Sequence, residues 1–137
     1  MTSSAHPLIV CVVDDDPSVR IGLARLMRSA GHRVDVYESG EQFLQSVNPK
    51  GTACVVLDIT MPGMSGLQVQ DQMIARAISI PVIALSARDD DETRRLARSL
   101  GTRFFLRKPV DDQALLDAID WVTRGEASPP GAGSAGS

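Results

Sequence analysis

Three short apolar runs, each closed by a residue with an oxygen to offer, constrain this chain more than any other feature. Residues 8–13 are apolar throughout, rich in valine, and stop at Asp14. Residues 53–57 repeat the pattern and stop at Asp58, and residues 81–85 stop at Ser86. A run without polar alternation suits a strand buried on both faces, and such strands belong to parallel sheets covered by helices. Two further segments, 33–37 and 103–106, have strand composition with more polar residues. The three apolar runs are therefore expected at the centre of the sheet.

Helical signals fill the intervals. Pro17 follows three aspartates, which suits a first turn capped by an aspartate; Asp16 is the preferred cap. Val19, Leu23, Leu26 and Met27 then recur at helical spacing, and Gly31 is a natural stop. Ser39 with Gln42 predicts a capping box for a helix to about residue 47, broken by residues 48–51. Ser65 caps a third helix to about residue 77. Residues 89–100 predict a fourth, with acids in its first turn and Arg98 near its end, matching the helix dipole. Residues 111–124 predict a fifth, with Leu115, Leu116, Ile119 and Val122 on its inner face. Five strands alternating with five helices imply an α/β, doubly wound fold with a parallel sheet and right-handed crossovers.

The 137 residues suit one domain, expected over 8–125, with an N-terminal tail at 1–7 and a Ser-, Pro-, Gly- and Ala-rich tail or linker at 126–137. Fourteen basic residues against seventeen acidic ones give a net charge of −3, which offers no footprint for nucleic acid or an anionic membrane. No apolar run approaches a membrane span, and the N-terminus lacks the basic and apolar segments of a signal peptide. A cytoplasmic location is expected. Cys11 and Cys54 both sit inside apolar runs and are expected as buried free thiols, with no CxxC pair for a redox or zinc site. His32 is expected at the surface, and His6 lies in the tail.

Ligands of such sheets bind outside the carboxyl ends of the strands. Those ends carry Asp14 and Asp15 after the first strand, Asp58 after the third, Ser86 after the fourth and Lys108 after the fifth. Crowded carboxylates repel one another and need a counter-charge. Hard oxygen ligands suit Mg²⁺, which leaves positions open for phosphate oxygens. Lys108 supplies a second cation, and Ser86 a hydroxyl. A carboxylate nucleophile, a divalent cation, a lysine and a hydroxyl are what aspartyl phosphate formation needs. Each residue has a plainer role open to it: a cap for Asp14, Asp15 or Ser86, a turn for Asp58, a solvated charge for Lys108. Four such coincidences at four strand ends favour one shared site.

These residues stand in motifs. They are Val12-Val13-Asp14-Asp15-Asp16-Pro17-Ser18-Val19-Arg20, Leu57-Asp58-Ile59-Thr60-Met61-Pro62-Gly63-Met64-Ser65-Gly66-Leu67, Ala84-Leu85-Ser86-Ala87 and Lys108-Pro109. In this order they resemble the receiver domain of two-component response regulators, over about residues 8–124. The resemblance implies a flavodoxin-like (βα)5 fold with strand order 2-1-3-4-5. It implies that Asp58 accepts phosphate from a histidine kinase, a phosphotransfer protein or a small phosphodonor. It implies Mg²⁺, with Mn²⁺ as a substitute, held by Asp15, Asp58 and the Thr60 backbone carbonyl, with Asp14 acting largely through water. Lys108, Ser86 and the Ala87 amide would contact the phosphoryl group, and Lys108–Pro109 would be cis. Phe105 matches the aromatic switch position, without the hydroxyl that a tyrosine would bring there. The resemblance also implies that Thr60 and Arg88 flank the site at positions that modulate phosphoryl lifetime in the family.

The implied protein is a signalling phosphoacceptor and not an enzyme, assisting its own phosphotransfer and slow dephosphorylation. It would switch the surface of helix 4, strand 5 and helix 5, through homodimerisation or an output domain or partner outside this chain. Three other readings remain. An aspartyl-nucleophile phosphatase would want a carboxylate where Thr60 stands. A nucleotide-binding module would want a glycine-rich loop where Asp14-Asp15-Asp16-Pro17 stands. A pseudo-receiver, an unphosphorylated interaction module, would not need Asp15, Asp58 and Lys108 intact.

Overall fold

The computed structural model describes residues 8–88 and 90–124; both predicted tails, His6 and Asp89 lie outside the described residues. The elements alternate without exception. Strand β1 (Ile9–Val13) leads to helix α1 (Pro17–Ser29), and β2 (Arg33–Tyr37) to α2 (Gly40–Ser46). A single 3₁₀ turn, Pro49–Gly51, then feeds β3 (Thr52–Asp58), followed by α3 (Gly66–Ala75). Next come β4 (Val82–Ser86), α4 (Asp91–Ser99), β5 (Thr102–Arg107) and α5 (Asp112–Arg124). All strand pairs are parallel and the order is β2-β1-β3-β4-β5. This is the doubly wound, flavodoxin-like arrangement.

Burial explains the order. Every residue of β4 is buried, as is nearly every residue of β1 and β3, whereas β2 and β5 are largely open or half-buried. Strands apolar on both faces gain most from a helix on each side, so they occupy the middle. Side-chain alternation divides the core in two. Val10, Val12, Cys54, Val56, Ile83 and Leu85 face α1 and α5, where Leu23, Met27, Leu115 and Ile119 meet them. Cys11, Val13, Val55, Leu57 and Val82 face the other way, onto Phe43, Leu44, Val69 and Met73. Both cysteines are buried and free. Burial pushes the Cys11 thiol up to about 11 and the Cys54 thiol to about 12, so neither is a thiolate at neutral pH.

Local chemistry sets the helix starts. Asp16 caps α1, its carboxylate accepting from the Ser18 amide at 2.9 Å. Ser39 caps α2 by accepting from the Gln42 amide, but the expected capping box is incomplete. The Gln42 side chain takes the Glu38 amide, one residue before the cap. The reciprocal box occurs at α3 instead, between Ser65 and Gln68. Asp90 caps α4, so that helix begins two residues later than predicted. His32 is half-buried and not exposed, its amide bonded back to the Met27 carbonyl.

Candidate functional site

Parallel register sets the carboxyl ends of the strands side by side. Val13 pairs with Leu57, and Leu57 with Ala84, so Asp14, Asp58 and Ser86 emerge along one edge. There one carboxylate oxygen each from Asp14, Asp15 and Asp58 lies within 4.8 Å of the others. Asp14 and Asp58 are buried and Asp15 is exposed.

Lys108 bridges the buried pair. Its Nζ lies 2.9 Å from Asp14 Oδ2 and 3.3 Å from Asp58 Oδ2. Its backbone amide donates to the Ser86 carbonyl at 2.8 Å, which ties the end of β5 to the end of β4. The Lys108–Pro109 peptide is cis. Asp58 Oδ1 accepts from the Thr60 amide at 3.1 Å. Asp14 Oδ1 accepts from the Asp16 amide at 2.9 Å. Both oxygens of Asp14 are thus engaged within the protein, whereas the exposed Asp15 takes no hydrogen bond from a described residue.

Burial is the main influence on Asp58, and the Asp14 charge adds to it. Together they outweigh Lys108 and the Thr60 amide and push the Asp58 carboxyl up to about 6. Burial also pulls on Lys108 in the opposite sense, but the Asp14 hydrogen bond and the two carboxylate charges prevail and raise its pKa. At neutral pH the site therefore sets an ionised Asp58 against a firmly protonated lysine. The donor set is wholly hard oxygen, which fits Mg²⁺ or Mn²⁺ and not a soft metal.

Residues 10–120 match the response regulator receiver domain family. The chain belongs to that family. Nodulation protein W of Bradyrhizobium diazoefficiens is 41% identical over 118 residues, which are 86% of this chain and 52% of that protein. The transcriptional regulatory protein FixJ of Azorhizobium caulinodans is 38% identical over 82% of this chain and 53% of its own length. The solved response regulator StyR is 42% identical with a TM-score of 0.81, over 87% of this chain and 60% of that one. This receiver therefore spans about half the length of the curated relatives it matches.

Of the remaining predicted positions of the receiver, Ser86 and Ala87 lie at the same edge, and Phe105 lies further back in β5, paired with Ala84. Ser86 is buried, and its hydroxyl oxygen accepts from the Arg88 amide at 3.1 Å, which leaves the hydroxyl proton to donate. Ala87 is exposed beside it. Phe105 is half-buried, with the Arg94 guanidinium of α4 5.2 Å above its ring. Phe105 carries no hydroxyl, and the cation on its ring face is one contact between α4 and β5. Three contributors were not predicted from the sequence. The Tyr37 carbonyl accepts the Asp14 amide, Gly66 admits α3 against the Asp58 carbonyl, and the Arg20 side chain grips the Asp14 carbonyl. Gly66 and Arg20 stand in the motifs themselves, but their roles depend on approaches that no spacing reveals.

Proposed function

We propose that this receiver is a Mg²⁺-dependent phosphoacceptor with Asp58 as the nucleophile. The observation that carries the reading is the single lysine Nζ between Asp14 Oδ2 and Asp58 Oδ2 at an acidic, hard-oxygen edge. A carboxylate oxygen of Asp58 attacks phosphorus as the bond to the donor breaks, and the donor is a histidine kinase, a phosphotransfer protein or a small acyl phosphate. Mg²⁺ would be held by Asp15, Asp58 and the Thr60 carbonyl, with Asp14 acting through water, and would supply charge for the transferring oxygens.

The protein's own groups do the rest. Lys108 leaves its carboxylate partners for the phosphoryl oxygens, the Ser86 hydroxyl donates to the same group, and the Ala87 amide assists. Ser86 and the loop before α4 follow the new charge, and the face formed by α4, β5 and α5 changes shape. The greater length of the relatives supports an output segment as the listener, with homodimerisation as the other route. The protein is incubated with acetyl phosphate and Mg²⁺ and weighed intact. The wild type is expected to gain one phosphoryl group and Asp58→Ala none; equal labelling of the two, or none in either, overturns the reading.

A further inference from the structure

Asp15 has an unexplained orientation. It is exposed and takes no hydrogen bond from a described residue, yet its carboxylate lies with those of two buried aspartates. Its backbone sets where that carboxylate starts from. The peptide joining Asp14 to Asp15 is planar, so whatever holds the Asp14 carbonyl also fixes the position of the Asp15 Cα. That carbonyl accepts from Arg20 Nη1 at 2.7 Å. The rest of Asp14 is fixed too: its amide by the Tyr37 carbonyl, its carboxylate by the Asp16 amide and Lys108.

Arg20 lies near the start of α1, where the dipole disfavours a cation, although the aspartates that precede the helix offset that cost. A half-buried guanidinium there needs a local reason, and the short charge-assisted bond to Asp14 provides one. We propose that Arg20 is a positioning residue that holds the Asp14–Asp15 turn in the shape Mg²⁺ binding needs. It acts through the Asp14 carbonyl and touches neither metal nor phosphate. Its charge pulls the other way, since a cation near the acidic edge repels Mg²⁺. The two effects predict opposite signs, so one measurement decides between them.

The inference rests on the Mg²⁺-dependent reading of the site. Mg²⁺ affinity is measured by titration calorimetry on wild type, Arg20→Met and Arg20→Lys, with thermal melts in EDTA alongside. Arg20→Met is expected to weaken Mg²⁺ about tenfold, as loss of a group that orients a ligand does. Labelling by acetyl phosphate should then recover at excess Mg²⁺, and the metal-free melt should move little. Arg20→Lys, which keeps the charge and one donor, should recover part of the affinity. Equal or tighter Mg²⁺ binding by Arg20→Met overturns the inference while leaving Asp58 as phosphoacceptor. If Arg20→Met does not fold, Arg20→Lys decides alone: weaker Mg²⁺ binding supports the inference and wild-type affinity overturns it. A wild type that binds no Mg²⁺ overturns both readings together.

Discussion

A carboxyl held near pKa 6 is a stability statement as well as a chemical one. Asp58 is 3% exposed and faces Asp14, so its charged form is disfavoured in the folded protein. Unfolded, it titrates near an ordinary value of about 3.9. Between these two pH values the folded chain holds a proton that the unfolded chain releases. Metal-free stability should therefore fall as pH rises from about 4 to about 6, and then level off. Asp58→Asn removes the charge without the volume. In EDTA at pH 7 it should be more stable than wild type by about 1–3 kcal/mol, and the gain should vanish near pH 4. Urea unfolding at a series of pH values checks this, and no gain at pH 7 refutes the picture of a strained carboxylate. Lys108→Met acts in the other direction, because it leaves Asp14 and Asp58 facing each other without their shared cation. The Asp58 titration, followed by carboxyl-carbon NMR, should then move above its wild-type position.

Elements show where a side chain was given up or tolerated for geometry. Ala77 follows the Arg76 cap of α3 at φ 56°, a left-handed position that favours glycine. Its amide bonds to Ile74 and the next amide to Met73, so the turn is fully formed around the wrong residue. Ala77→Gly should raise stability by about 0.5–1 kcal/mol, read as a higher urea midpoint. Gly66 is the opposite case. A Cβ there would press on the Asp58 carbonyl oxygen and sit 2.7 Å from the Ile59 Cα, both backbone atoms that cannot yield cheaply. Gly66→Ala should cost more than about 2 kcal/mol and slow labelling of Asp58 by shifting its loop. The contrast explains what was legible in the sequence. Apolar runs, caps and strand-end oxygens are local, so residue type and spacing alone place five strands, five helices and the acidic edge. The Gln42 side chain instead chose Glu38 over Ser39 because two amides compete for one oxygen. Arg20 on Asp14 and Gly66 on Asp58 depend on how a loop folds a helix start back onto a strand end, and spacing alone does not show that approach.

Across the whole molecule, firmness is unevenly shared. Strands β1, β3 and β4 are buried on both faces, whereas Ala97 is the one buried residue of α4, and Leu96 stands 47% exposed. Polar contacts among the described residues help hold α4 down. Arg94 covers Phe105, and Gln70, 1% exposed on α3, donates to the Ala97 carbonyl at 3.2 Å and to the Thr102 hydroxyl at 2.8 Å. The same Gln70 buries an amide oxygen with no hydrogen-bond partner among the described residues. Two neutral hydrogen bonds contribute about 1–3 kcal/mol, and an unsatisfied buried oxygen costs about as much. Gln70→Met should therefore leave global stability within about 1 kcal/mol of wild type, because the two terms offset. Locally they do not offset, since the lost bonds were those that join α3 to α4 and β5. Hydrogen exchange should show α4 opening faster in Gln70→Met while β1 and β3 keep their protection. Phosphorylation of Asp58 should mark the same helix in the wild type. Ser86 ends β4 and α4 is the next helix in the chain, so exchange should change in α4 before it changes in α1 or α5. Unchanged α4 exchange after acetyl phosphate treatment would count against the proposed readout through α4.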